Sequence, residues 1–322
     1  MANKKLKIGV LFGGKSAEHE VSLASAKNVI AALDKTKYQI VPIKIPKNGK
    51  FSFSLLNKVD VIFPVLHGPF GEDGSMQGLL KLAGVPFVGA GVLGSALGMD
   101  KDVMKRLLRY AGLPIGKFIT VKNGEKLNFN KIKKELGLPL FIKPANMGSS
   151  VGVSKAKNEI EFKKSVNEAF KYDNKIIVEE FINGREIECA VLGNDHPMAS
   201  IPGEIIANQE FYSYDAKYID EGAVPEIPAK IHKNTATKIQ QLSIKTFQAL
   251  NCEGLARVDF FLKKNGTVLV NEINTIPGFT NISMYPKLWE ASGIPQTKLL
   301  DRLITLAIER FGNEKKLKTT LK

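Results

Sequence analysis

The chain of 322 residues is long enough for roughly two domains at about 150 residues each. Hydrophobic residues make up 44% of it and charged residues 24%, which excludes disordered and fibrous proteins. The net charge of +14 suggests a polyanionic partner, but 40 of the 46 cationic residues are lysines spread along the chain, which favours solvated surface charge over a nucleic-acid site.

The first third of the chain alternates short β-branched runs with helical stretches. It predicts strands and a helix in this order: Lys7 to Phe12, a helix from about Glu20 to Leu33, Tyr38 to Ile45, and Val59 to Leu66. Such alternation is typical of a doubly wound parallel sheet, in which ligands meet the loops at the carboxyl ends of the strands. Here those loops are Gly13 to Glu18 and His67 to Gly74.

Two apolar segments do not match a signal peptide or a transmembrane helix. The run after the basic start ends at Gly13-Gly14, and the uncharged stretch from Leu82 to Met99 contains one proline and five glycines. The second segment instead predicts a short strand, a turn and the start of a helix. Cys189 and Cys252 stand outside any CxxC or Cys/His cluster and are interpreted as core thiols of a reducing compartment. We therefore expect a cytoplasmic protein without a membrane partner.

The rest of the chain changes pattern. A helix from about Asp100 to Ala111 ends at Gly112-Leu113-Pro114. Further elements are predicted in this order: a strand at Leu140 to Lys143, a loop at Asn146 to Ser150, strands at Val151 to Ser154 and Cys189 to Leu192, a polar segment from Asn208 to Pro225, and a helix from about His232 to Leu250. A hairpin, a C-terminal helix and a frayed lysine-rich tail from Asn313 to Lys322 follow.

A P-loop pattern near the start is interpreted as coincidence. Gly9, Gly14, Lys15 and Ser16 have the required spacing, but Gly9 lies inside a predicted strand. The acidic residues that follow would also face phosphates with negative charge.

The loop from Asn146 to Gly152 differs, because it joins two strands. Its glycines and serines let backbone N–H groups approach phosphate oxygens, and Lys143 on the preceding strand supplies a positive charge. Taken alone, an ordinary flexible hairpin is the better interpretation.

The dipeptide Asn265-Gly266 predicts a hairpin with a two-residue turn. In that register Asp259 faces Glu272 and Arg257 faces Asn274, and the alternation of side chains places all four on one face. Opposed carboxylates destabilise a sheet unless a cation neutralises them, and oxygen ligands of this kind suit Mg²⁺. The alternative is a solvated face on which Arg257 pairs with one acid; apolar neighbours favour the metal site.

Several long motifs occur together in order. They are His67 to Gly74 (HGPFGEDG), the GSSVG loop after Lys143-Pro144, Arg257-Val258-Asp259, and Asn271 to Thr275 (NEINT) with Pro277 to Thr280 (PGFT). Together they resemble the D-alanine:D-alanine ligase family of ATP-grasp enzymes, from Gly13 to about Pro295. The resemblance implies α/β and α+β architecture: an N-terminal domain with a doubly wound parallel sheet at 1–100, a small ATP-grasp domain at 101–186 and a C-terminal ATP-grasp domain at 187–322.

The resemblance also implies the reaction. ATP phosphorylates the carboxylate of one D-alanine, and the amine of a second attacks the acyl phosphate to give D-alanyl-D-alanine, a peptidoglycan precursor. Positioning and electrostatic stabilisation should supply most of the catalysis. Two Mg²⁺ ions, with Mn²⁺ as an alternative, and a homodimer are implied as well, without nucleic acid.

By matching positions, the resemblance assigns roles to individual residues. The metal ligands are Asp259, Glu272 and Asn274. The residues at the ATP phosphates are Lys101, Lys143 and, on the substrate side, Lys217. Adenine is bound by Glu179, Glu180, Phe181 and Ile182, and the ribose by Glu186. The residues at the D-alanines are Glu18, His67 and Ser283. Arg257 and the N–H of Gly278 would stabilise the oxyanion, while Ser149 and Tyr218 would hydrogen-bond with Glu18.

Structural interpretations of single residues stay open. Glu18 also suits a helix N-terminus, His67 a buried strand end, and Tyr218 an aromatic cluster. Phe211 to Pro225 resembles the family's mobile loop, but Ile219 to Ala223 lacks the expected threonine-bearing run.

Three competing functions are weighed against the ligase. A D-alanine:D-lactate ligase of the same family typically has Phe or His at Tyr218, so the tyrosine favours the dipeptide. A nucleic-acid-binding protein would exploit the +14 charge. A dinucleotide-binding dehydrogenase lacks its GxGxxG motif, since Phe12 to Ala17 reads FGGKSA.

Overall fold

The computed structural model describes residues 5–207, 223–318 and 320. The first of three sheets is parallel, with strand order β2-β1-β3. Its strands are β1 (Leu6–Gly13), β2 (Tyr38–Ile45) and β3 (Val61–Val65), and a short 3₁₀ helix, Phe53–Lys58, precedes β3. Phe87 extends the sheet through a bridge to Ile62. The predicted parallel sheet is confirmed.

Helices cover both faces of this sheet. They are α1 (His19–Ala32) and α2 (Ser75–Leu82), and α3 (Val92–Met99) follows and packs against α2. Val29 of α1 shares a core with Val10 on one face, and Leu80 of α2 shares a separate core with Leu11 on the other. Because successive strand residues point to opposite faces, Val10 and Leu11 supply both cores. The sheet is therefore doubly wound, as predicted.

The second sheet is antiparallel, with strand order β4-β7-β5-β6. Its elements are β4 (Phe118–Lys122), α5 (Phe129–Leu136), β5 (Leu140–Pro144), β6 (Ser154–Ala156), α6 (Glu159–Ala169) and β7 (Lys175–Glu180), and α4 (Lys101–Tyr110) leads into them. Phe162 of α6 and Ile132 of α5 are buried with Ile142 of β5. One side of the sheet is therefore covered by helices.

The third sheet has strand order β11-β10-β8-β12-β13, with β9 paired to β8. Its strands are β8 (Gly184–Gly193), β9 (Met198–Ala199), β10 (Gly203–Ala207), β11 (Ala223–Glu226), β12 (Gly254–Lys263) and β13 (Val268–Asn274). Its helices are α7 (Lys233–Ala249), α8 (Met284–Ala291) and α9 (Gln296–Lys315). Trp289 of α8 and Leu303 of α9 share a core with Val10 of the first sheet, so the first and third parts pack together.

The strand predicted at Val151 to Ser154 is wrong in extent, because β6 begins only at Ser154. Ser149, Ser150 and Gly152 have φ values of 48°, 60° and 70°. Left-handed backbone of this kind forms turns and cannot continue a strand. The loop between β5 and β6 is therefore longer than predicted.

The β12–β13 hairpin reaches the predicted register by another route. Lys263 pairs with Thr267, so the loop holds three residues and Gly266 is its left-handed one (φ 81°). A β-bulge at Asn271 then restores the pairing of Asp259 with Glu272 and of Arg257 with Asn274. The predicted two-residue turn is wrong, whereas the predicted pairs at the site are confirmed.

The predicted thiols and the apolar segment behave as expected. Cys189 and Cys252 are free and buried, and burial raises their pKa values to about 11 and about 12. Across the described ranges no helix has the length and apolar character needed to cross a membrane. The segment Leu82 to Met99 forms the Phe87 bridge, a turn and α3.

Candidate active site

Two cavities lie on either side of one shared wall. The first, of about 490 Å³, lies near the carboxyl ends of the parallel strands. The second, of about 510 Å³, lies against the second sheet. Lys101, Gly148, Ser149 and Glu272 line both.

The sequence-predicted residues divide between the cavities by role. The expected substrate and oxyanion residues line the first: Glu18, His67, Arg257, Gly278 and Ser283. The expected nucleotide residues line the second: Lys143, Glu179, Glu180, Phe181, Ile182 and Glu186. Lys217 and Tyr218 lie outside the described residues.

Glu18 ends the loop after β1, and its carboxylate lies between the loop after β3 and the β5–β6 loop. It precedes α1 but its carboxylate makes no capping hydrogen bond; Ser149 donates to its Oε1 instead. A Cβ at Gly68 would lie 2.6 Å from Oε2 of Glu18, and one at Gly148 would lie 3.0 Å away. A side chain at either position would displace the carboxylate, so glycine lets these loops approach it closely.

His67 lies at the end of β3, buried beneath the first cavity. Its Nδ1 lies 3.1 Å from the carbonyl oxygen of Ile276, and its Nε2 lies 3.3 Å from Oγ of Ser25. Burial lowers the pKa of His67, although the charge of Glu18 acts in the opposite direction. A neutral imidazole held at both nitrogens can orient groups beside Glu18.

Three strands bring charged side chains into one row. Asp259 of β12 pairs in register with Glu188 of β8 and with Glu272 of β13. Arg257 Nε donates to Asp259 Oδ1 at 2.7 Å and lies 2.9 Å from Glu188 Oε2, and Asn274 donates to Asp259 Oδ2 at 2.9 Å. The structure thus contains both the predicted cluster and the ion pair of the alternative interpretation.

The donor set of this row fits a hard divalent cation. Two carboxylates and an amide oxygen, on Asp259, Glu272 and Asn274, are ligands that Mg²⁺ accepts while keeping water and phosphate oxygens. Within the described residues no three His, Cys, Asp or Glu side chains form a metal-binding group by themselves. Non-protein ligands would have to complete the coordination.

Gly278 and Ser283 lie where β13 gives way to α8. Ser283 precedes α8, and its Oγ accepts from the Thr280 N–H at 3.0 Å. A Cβ at Gly278 would lie 2.7 Å from that Oγ. Only glycine leaves the backbone and the serine hydroxyl this close.

Lysines dominate the wall of the second cavity. Lys143 Nζ lies 2.6 Å from Glu179 Oε2, and Lys105 Nζ lies 2.7 Å from Oε1 of the same carboxylate. Burial by itself disfavours the Glu179 charge, yet the two lysines hold its pKa at about 2. Burial likewise opposes the charge on Lys143, but Glu179 and Glu272 raise its pKa.

Lys101 connects the two cavities. Its Nζ donates to the Met147 carbonyl at 2.6 Å and lies 4.0 Å from Glu272 Oε2. Burial lowers the pKa of Lys101, and the charge of Lys143 adds to this effect, while Glu272 opposes it. A buried ammonium group between the two cavities is suited to bind a phosphate oxygen.

Two aromatic rings form the outer wall of the second cavity. The rings of Phe141 and Phe181 stack 6.1 Å apart, and Lys155 lies 4.8 Å from the Phe181 ring. Glu180 Oε1 accepts from the Lys117 N–H at 2.7 Å. A flat apolar surface beside backbone polar groups suits a heteroaromatic ring.

Three residues of these walls have no role predicted from the sequence: Glu72, Glu188 and Lys105. Glu72 belongs to the HGPFGEDG motif, and Lys105 follows Lys101 by one helical turn, which places both on one face of α4. Glu188 is buried on β8 together with both of its neighbours, and its position depends on strand pairing that the sequence does not specify.

Three sheets that enclose a lysine-bearing, partly aromatic cavity, joined through a lysine and a glutamate to a polar cavity of similar volume, fit an ATP-dependent ligase of the ATP-grasp class. Residues 107–305 match the family D-ala D-ala ligase C-terminus, and residues 7–57 and 52–90 match D-ala D-ala ligase N-terminus. The D-alanine–D-alanine ligase of Oceanobacillus iheyensis is 49% identical over 98% of this chain and 99% of its own.

Solved structures agree. The D-alanine–D-alanine ligase of Coxiella burnetii has a TM-score of 0.87 at 42% identity, covering 97% of this chain and 98% of its own. The VanG D-Ala:D-Ser ligase of Enterococcus faecalis scores 0.85 at 37% identity (94% and 100%), and the Bacillus anthracis D-alanine–D-alanine ligase complexed with ATP scores 0.82 at 32% (96% and 99%). This chain belongs to the D-alanine–D-alanine ligase family.

Proposed function

We propose that the protein uses ATP to join two D-alanines into D-alanyl-D-alanine for peptidoglycan precursor synthesis, with ATP in the second cavity and both amino acids in the first. The observation that carries this is the shared wall. Because Lys101 and Glu272 line both cavities, a phosphoryl group on one side meets a carboxylate on the other. A carboxylate is a poor electrophile until it is phosphorylated.

The first step transfers the γ-phosphoryl group to the first D-alanine. Glu18, held by Ser149, binds the ammonium group of that substrate, with the neutral His67 beside it. Lys101 and Lys143 hold the phosphates in line with the substrate carboxylate. Bound Mg²⁺ or Mn²⁺ ions would neutralise phosphate charge, with Asp259, Glu272 and Asn274 as their ligands.

The second step forms the peptide bond. Ser283 binds the carboxylate of the second D-alanine and aims its amine at the acyl phosphate. Arg257 and the N–H of Gly278 stabilise the negative oxygen of the tetrahedral intermediate, which then expels phosphate. Lys217 and Tyr218 keep their proposed roles at the phosphates and beside Glu18.

The test is a substrate comparison by phosphate release and product analysis. With ATP, Mg²⁺ and D-alanine we expect phosphate and dipeptide in equal amounts, and neither with L-alanine. Phosphate release that does not depend on D-alanine contradicts the proposal.

A second candidate function differs only in the second substrate, which supplies the nucleophile. The 37% identity to a D-Ala:D-Ser ligase and the alternative of D-lactate make the second substrate the open point. In mixtures at neutral pH we expect the D-alanine dipeptide to dominate; mainly depsipeptide or D-serine product favours the alternative. We further propose a cytoplasmic homodimer.

A further inference from the structure

Lys105 is a buried cation to which the reaction above gives no role. It is 3% exposed, on the same face of α4 as Lys101. Its Nζ lies 2.7 Å from Glu179 Oε1 and 3.2 Å from the carbonyl oxygen of Asn271. Asn271 is the bulge residue of β13, so its carbonyl lies outside the regular pairing with β12. Lys105 therefore joins the second sheet to the third.

Glu179 is held from two sides. Lys105 contacts one carboxylate oxygen and Lys143 the other, at 2.7 and 2.6 Å. With one ammonium on each oxygen the carboxylate is fixed in orientation as well as in charge. Without Lys105, the Glu179 carboxylate would keep Lys143 of these two lysines. Lys143 is itself expected at the ATP phosphates.

We infer that Lys105 is a positioning residue that holds the Glu179 carboxylate in place as a hydrogen-bond acceptor for the 6-amino group of the nucleotide base, and so makes the enzyme reject 6-oxo purine nucleotides. This inference rests on the proposed placement of ATP in the second cavity. Adenine presents an N–H donor at its position 6, whereas hypoxanthine presents a carbonyl acceptor there. An ionised carboxylate accepts from the first and repels the second.

The contact with Asn271 adds a geometric consequence. Asn271 directly precedes Glu272, which lines the shared wall. Lys105 thus links the position of the Glu179 carboxylate, on the side of the base, to that of Glu272, on the side of the phosphates. Its removal should affect nucleotide binding and leave the first cavity, which it does not line, unchanged.

The experiment compares ATP with inosine triphosphate (ITP) at saturating D-alanine in the wild type and in Lys105→Met, with equilibrium Kd values for both nucleotides measured by calorimetry. We expect Lys105→Met to lower the ATP-to-ITP preference about tenfold, mainly through the KM and Kd of ATP. The KM of D-alanine should stay within twofold. Glu179→Gln should give the same loss, and the double variant no further loss.

The matched control is Arg106→Met, the next residue of α4, whose side chain is 61% exposed and pairs with Asp102; it should keep the wild-type preference. A Lys105→Met enzyme with an unchanged ATP-to-ITP ratio contradicts the inference, whatever its absolute rate. If that variant does not fold, Lys105→Gln takes its place with the same two outcomes. A wild type that binds ATP selectively but makes no dipeptide refutes the proposed function alone, because the Kd ratios still decide the role of Lys105.

Discussion

Glu272 is a carboxylate in the wall that the two cavities share. It faces Asp259 across the hairpin, lies 4.0 Å from Lys101 and lines both cavities. We expect Glu272→Gln to lower kcat by about 1000-fold, because a neutral amide weakens both metal ligation and the electrostatics of phosphoryl transfer. Dipeptide formation at low millimolar Mg²⁺ measures this.

Glu290→Gln is the matched control, since Glu290 is exposed on α8. It should retain the wild-type kcat. A near-normal rate for Glu272→Gln refutes the assignment of Glu272 as a metal ligand.

Glu18 shows what local sequence can and cannot predict. An acid at a helix N-terminus is favoured by the helix dipole, which made capping a sufficient interpretation. In the structure its side chain caps nothing and instead accepts from Ser149, 131 residues away. Only the resemblance predicted that contact, because no local pattern encodes which loops meet in space.

The β12–β13 hairpin shows the same limit at the scale of an element. Asn265-Gly266 indicated a hairpin, but the loop takes three residues. The sequence does contain a sign of the compensating bulge: Val268 and Val270 are buried at even positions, while Ile273 is buried at an odd one. One extra residue must therefore lie between them.

A mutation in the turn of this hairpin should change stability without changing activity at the Asp259–Glu272 pair. Gly266 has φ 81° and no neighbouring atom within 4 Å of an added Cβ, so Gly266→Ala costs only backbone strain. We expect it to lower the free energy of unfolding by about 1 kcal/mol and to leave kcat unchanged. Thermal unfolding and steady-state kinetics check both.

Gly312→Ala is the control for this change. Gly312 lies within α9, where an added Cβ also meets nothing within 4 Å. It should stabilise by up to about 1 kcal/mol. A loss of activity in Gly266→Ala contradicts the view that the bulge and the pairing of β12 with β8 set the register at the site.

At the scale of the whole molecule, periodicity predicted the parallel first sheet well. β2 runs from Tyr38 to Ile45, as the sequence indicated, because alternating strands and helices can bury their apolar faces in only a small set of layered arrangements. The contacts between the three sheets depend on tertiary packing, so α8 and the core it shares with the first sheet could not be predicted. The domain boundaries near residues 100 and 186 stay a proposal.

The pH dependence of stability provides a test at this scale. Burial raises the pKa of Glu72 from 4.5 to about 8, and the charge of Glu18 adds to this effect. Between these pKa values the folded protein keeps a proton that the unfolded chain releases. The contribution of Glu72 to the free energy of unfolding is therefore complete below pH 4.5 and is lost as the pH rises through 8. Glu72→Gln cannot ionise and lacks this loss.

We therefore expect the Tm of Glu72→Gln, relative to wild type, to rise steadily from about pH 5 to about pH 8. Glu135→Gln, exposed on α5, is the control and should show a constant difference. A Tm difference for Glu72→Gln that is independent of pH contradicts a raised pKa at Glu72.

In the proposed reaction the shared wall brings the phosphoryl group of ATP onto the carboxylate of D-alanine. The most direct test uses D-alanine labelled with ¹⁸O in its carboxylate and mass spectrometry of the released phosphate. Phosphorylation of the carboxylate predicts one ¹⁸O atom in each phosphate, since the oxygen that bonds to phosphorus leaves with it. Dipeptide formed together with unlabelled phosphate would contradict the claim.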